Sequence, residues 1–131
     1  MANLAIAKSH QNAKEYEQAI TAYRSVVSLS KSAYGAEARY EIANSFLAQN
    51  RLADAEKAAF EVINKAGSYE NWVTRAYILL GDVYFKQQDY FNAKATYQSV
   101  VDNAKIEELR QEAERKLKET ADAEKKGSKV E

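Results

Sequence analysis

The chain contains one histidine, His10, one tryptophan, Trp72, and no cysteine. An imidazole acts as a general base or a metal ligand only beside partners: a carboxylate that orients it, or further ligands at helical spacing. Neither a second histidine nor a tight carboxylate cluster accompanies His10. The missing cysteines remove disulfides, thiolate metal sites and a thiol nucleophile. A glycine-rich phosphate loop and a nucleophile elbow are also absent, so phosphoryl and acyl transfer have no local signature. His10 shares its register with Phe46 and Tyr84 in the pattern below, which makes it a packing residue facing the following helix. Trp72 stands at a helix start, where such a ring seals a junction between units more often than it anchors a partner. No catalytic residue, metal ligand or cofactor is expected, and an enzyme built on this sequence would have to depend on His10.

The elements that position these residues repeat. Aligning Ala7, Ala43 and Gly81 brings Ile6, Ile42 and Leu80 into register just before them. Twelve residues further on stand Ala19, Ala55 and Ala93. A second segment opens with Tyr16, Leu52 and Tyr90, continues with Tyr23, Ala59 and Tyr97, and closes with Val26-Val27, Val62-Ile63 and Val100-Val101. Small residues at matched positions let two helices approach closely while larger side chains fill the wedge on either side. The tyrosines at these registers therefore read as core. With no proline, four glycines and no strand pattern, the chain reads as all-α.

The registers resemble the tetratricopeptide repeat (TPR). Tyr77, Leu80, Gly81, Tyr84, Ala93 and Tyr97 match its pattern closely. Ile42, Ala43, Phe46 and Ala55 follow it more loosely, as do Ile6, Ala7, Ala19 and Tyr23. The resemblance implies an all-α fold: a right-handed superhelical stack of three helical hairpins, about residues 1–33, 34–68 and 69–104, closed by a C-terminal capping helix. It also implies a non-catalytic scaffold for protein–protein interaction. The spacings are 43 − 7 = 36 and 81 − 43 = 38, against about 34 for the standard unit. The extra residues fall between repeats, in 28–35 and 66–71. Residues 72–98 are similar to stretched repeats of Gram-negative cell-envelope proteins, which favours a periplasmic or envelope location; a chain without cysteine fits the cytoplasm as well.

Where the family usually carries glycine in the turn within each hairpin, this chain has Lys14, Asn50 and Gln88, so each turn must accept a Cβ at some cost. Helices are expected over 1–12, 16–30, 36–48 and 52–65, with a further pair within 75–101. Gly67 is placed to end the fourth in a left-handed conformation, and Ser68 to cap the next. Residues 105–126 form the capping helix, with Ile106, Leu109, Ala113 and Leu117 as a narrow apolar stripe. Glu112–Lys116, Glu114–Lys118 and Asp122–Lys126 are favourable i, i+4 pairs on it. Residues 127–131 read as a disordered tail. At its other end the chain lacks a polar capping segment and reads as a piece of a longer protein.

First-helix positions not used for packing are expected to line a concave groove. These are Leu4, Lys8, Gln11 and Asn12; Glu37, Tyr40, Asn44 and Leu47; and Arg75, Ile78, Asp82, Phe85 and Lys86. Their mixture of aromatic, arginine and amide side chains suits a peptide or helix from a protein partner. Chaperone-binding members of the family hold a C-terminal carboxylate with a Lys-Asn-Asn-Lys-Arg clamp. The matching residues are Leu4, Lys8, Glu41, Arg75 and Leu79, which do not make that clamp. A formal net charge of zero argues against nucleic-acid binding, and no apolar run is long enough for membrane insertion. The competing reading is a structural segment that self-associates, or stacks on other repeats, through its N-terminal helix.

Overall fold

In the computed structural model the described residues are 2–29, 32–66 and 68–130, and they form seven helices and no strand. The helices are α1 (Ala2–Asn12), α2 (Tyr16–Leu29), α3 (Ala33–Ala48), α4 (Leu52–Lys65), α5 (Glu70–Lys86), α6 (Tyr90–Asn103) and α7 (Glu107–Val130). This is an all-α helical repeat fold. Three-residue turns join α1 to α2, α3 to α4 and α5 to α6.

Those turns are copies of one another. Lys14, Asn50 and Gln88 adopt left-handed backbones, with φ of 63°, 58° and 61°. The next residue in each case donates its amide N–H to a carbonyl five residues back: Glu15 to His10 at 2.8 Å, Arg51 to Phe46 at 2.9 Å and Asp89 to Tyr84 at 2.9 Å. The left-handed residue itself bonds three back, to Gln11, Leu47 and Phe85. This is the Schellman arrangement, which satisfies orphan carbonyls at a helix end. It normally brings together the side chains of the two residues joined by the longer bond. Here they are His10 and Glu15, with Nδ1 and Oε1 3.2 Å apart, and Phe46 with the Arg51 guanidinium 4.6 Å above its ring. His10 thus clasps a turn against the start of α2 and stays half-buried, whereas Phe46 at the same register is buried.

The longer repeat period is absorbed mainly in helix. α3 begins at Ala33, three residues ahead of expectation, with Ser32 Oγ accepting from the N–H of Tyr34. α5 begins at Glu70, and the carbonyl of Tyr69 takes its opening bonds, so Ser68 is not the residue at the cap. The terminator expected at Gly67 lies outside the described residues. α7 extends through Val130, past the helix end expected at Lys126.

Two compact units divide the chain within α5, residues 1–76 and 77–131. In the first, Ala7, Ala19, Tyr23, Ala43, Ala55 and Ala59 are completely buried, as close helix approach at small residues requires. α4 buries Ala55, Ala58, Ala59 and Val62, one stripe at three- and four-residue spacing. A further cluster joins Ala36, Val62, Ala66 and Ala76, with Trp72 packed against it. In the second unit Ile78, Ala93, Tyr97, Val100, Leu109 and Ala113 form the core. The ring of Tyr97 lies on Gly81, where an added Cβ would stand 2.8 Å from Cδ1 and Cζ.

Candidate functional site

Tyr40, Asn44 and Leu47 recur at spacings of four and three, so α3 presents them on one face, all half-buried. Two neighbours hold that face in place. From α1, Lys8 Nζ reaches Glu37 Oε2 at 2.7 Å. The hydrogen bond to Glu37 raises the Lys8 pKa above its usual value and keeps it charged. From the first part of α5, Trp72 stacks on Tyr40 with ring centroids 5.7 Å apart and planes tilted by 40°. The Arg75 guanidinium lies 5.5 Å over Trp72, and its Nε donates to Asn71 Oδ1 at 3.1 Å. Asn44 Nδ2 donates to Glu41 Oε1 at 3.3 Å. The result is a half-exposed patch of aromatic, cationic and amide groups already fixed in position. Trp72 belongs both to the core boundary and to this surface.

Two family models described as Tetratricopeptide repeat match the chain, over residues 4–71 and 75–104. The chain belongs to the tetratricopeptide repeat family. Comparison with curated proteins gives no match. TPR proteins generally mediate protein–protein interaction or scaffolding, and the family is typically non-catalytic.

Within this TPR framework several expected groove positions are occupied by packing. Leu4 is buried, and Leu79 at another clamp position is buried too. Gln11 accepts the hydroxyl of Tyr23. Ile78 is 3% exposed, because residues of α7 pack over it: Leu109 and Ala113 share its cluster. Asp82 accepts the Tyr97 hydroxyl and forms an ion pair with Lys116 at 2.7 Å. Ile78 is thus buried, and Asp82, half-buried, is engaged by Tyr97 and Lys116. Phe85 packs against the same core and meets Tyr90 edge-on at 5.6 Å. Lys8, Asn12 and Lys86 are exposed.

The Tyr97–Asp82–Lys116 network ties α5, α6 and α7 together, and Lys116 also meets Glu112 at 3.3 Å. Burial, with the Asp82 carboxylate beside it, pushes the Tyr97 pKa well above 10.0, so the phenol is neutral. Burial does the same to Tyr23. These are donors held in a core, not activated acids. The contact with Asp82 escaped the sequence reading, since the i, i+4 rule marked Lys116 only as a partner of Glu112. The other two expected pairs on α7, Glu114–Lys118 and Asp122–Lys126, do not form; Arg115 pairs with Glu119 at 3.0 Å instead. Among the described residues no group of three histidine or carboxylate side chains is placed to hold a metal ion. No described helix is long and apolar enough to cross a membrane.

Proposed function

We propose that this TPR chain is a non-catalytic scaffold, and that the face shared by α1, α3 and the first part of α5 binds a segment of another protein. The observation that carries the reading is the Tyr40–Trp72–Arg75 cluster, half-buried and held by its own neighbours. Aromatic and arginine side chains contribute most to binding when they are fixed beforehand, since little ordering is then lost on association. Lys8, Asn12, Asn44 and Leu47 complete the face, and Phe85 and Lys86 are the candidates remaining in the second unit. With Leu4 and Leu79 in the core, a C-terminal carboxylate is not the handle. The similarity of residues 72–98 to stretched envelope repeats supports a bacterial cell-envelope protein as the setting.

A photo-crosslinker at Asn44 identifies the bound protein. Tyr40→Ala combined with Arg75→Ala is expected to weaken that protein's affinity at least about tenfold, the loss of one or two anchors, while far-UV circular dichroism stays unchanged. Unaltered affinity refutes the site. A second reading, stacking of α1 on another helical pair, is favoured by Ile6, which is 50% exposed while Ile42 and Leu80 at its register are 8% and 4% exposed. Sedimentation velocity over a concentration series separates the two: self-association through α1 supports stacking, and a monomer throughout removes it.

A further inference from the structure

Between α2, α3 and α4 the first unit holds a cleft of about 380 Å³, within the size range of ligand pockets. Its apolar lining includes Ile42, Phe46 and Ala58, which are 7–8% exposed. Its rim carries one cation from each helix: Arg24, Arg39 and Lys57. Among the described residues none of the three has an ion-pair or hydrogen-bond partner, although Arg39 is half-buried. A partly desolvated guanidinium without a counter-charge gains from a carboxylate brought to it. Two acidic residues also line the cleft. Asp54 is engaged at 3.0 Å by Arg51, which Glu17 shares, so the lining sets three cations against two carboxylates.

The repeat does not require this charge. One repeat further along, at offsets of 36 and 38, Arg24, Arg39 and Lys57 correspond to Phe60, Tyr77 and Ala95. Asp54 and Glu61 correspond to Asn92 and Ser99, so every charged lining position becomes uncharged. The repeat register therefore does not dictate the cations, in a chain whose net charge is zero. A local positive surplus beside an apolar lining is a recognition feature for the opposite pattern.

We propose that this cleft is a second binding site, taking a protein segment with a large apolar side chain flanked by carboxylates. The apolar group rests on Ile42, Phe46 and Ala58, and the carboxylates meet Arg39, Lys57 and Arg24. The site uses a different face of α3 from Tyr40, Asn44 and Leu47, so it stands or falls independently of the first.

The test is a titration of the ¹⁵N-labelled full chain with the blocked tetrapeptide Glu-Phe-Glu-Asp and with its basic counterpart Lys-Phe-Lys-Lys. The acidic peptide is expected to give saturable amide shifts confined to α2, α3 and α4, with the basic one at least about tenfold weaker. Arg39→Gln with Lys57→Gln should remove the preference, and Lys57→Gln alone, at an exposed position, should reduce it without any risk to folding. Equal binding of both peptides, absence of saturable shifts at millimolar concentration, or shifts centred on Tyr40 and Asn44 each overturns the proposal.

Discussion

Replacing the left-handed turn residues by glycine is a quantitative test of how this chain folds its hairpins. Lys14, Asn50 and Gln88 sit at φ of 58–63°, where a Cβ costs roughly 1–2 kcal/mol for most L-residues. All three side chains are exposed and none makes a hydrogen bond or ion pair among the described residues, so substitution removes no contact. Glycine returns about 0.5–1 kcal/mol of that gain through the greater freedom of its unfolded chain. The net expectation is a stabilisation of about 0.5–1 kcal/mol each for Lys14→Gly and Gln88→Gly. Asn50→Gly should come out near zero, since asparagine enters the left-handed region more readily than other non-glycine residues. Urea unfolding followed by circular dichroism measures this, and a gain of about 1 kcal/mol corresponds to a rise of a few degrees in Tm. The ranking matters more than the absolute values. If glycine at Lys14 or Gln88 destabilises the protein, or if Asn50→Gly gains the most, the account of these turns as strained is wrong.

Two further outcomes follow from the second unit and the buried tyrosines. Gly81→Ala should cost about 1–3 kcal/mol, because its Cβ meets the Tyr97 ring, which is 2% exposed and tethered through its hydroxyl to Asp82; an unchanged urea midpoint would contradict that packing. Alkaline pH should also unfold the protein. Tyr23 and Tyr97 have folded pKa values raised above 10.0, so the stability they contribute is complete below that pH and is lost as pH rises toward the folded values. Each should steepen the decline above pH 10.0 by up to about 1.4 kcal/mol per pH unit. Tyr97→Phe should remove one of these contributions, and an identical slope in the variant would show that Tyr97 ionises freely.

Much of this architecture is written in local pattern. α4 runs from Leu52 to Lys65 as its spacing of Ala55, Ala58, Ala59 and Val62 implies, because a helix needs only one apolar stripe and a place to stop. The glycine-free turns announced left-handed residues at Lys14, Asn50 and Gln88, since the backbone geometry of the turn is set by chain length and not by the side chain. The helix starts were less legible. α3 reaches back to Ala33 because Ser32 supplies a cap, and nothing in the repeat register distinguishes that serine from its neighbours in 28–32.

What the registers left open was which of their free positions face a neighbour. Ile78 and Arg75 stand three residues apart on α5 and read alike as candidates, yet Ile78 packs beneath α7 while Arg75 lies over Trp72. Tyr23 and Tyr97 share a register but choose different acceptors, Gln11 and Asp82. Residue type and spacing dictate which face of a helix is apolar, because that depends on 3.6 residues per turn. The partner that covers the face, and the polar group that receives a buried hydroxyl, depend on how separate helices dock, and those contacts join residues as far apart as Asp82 and Lys116.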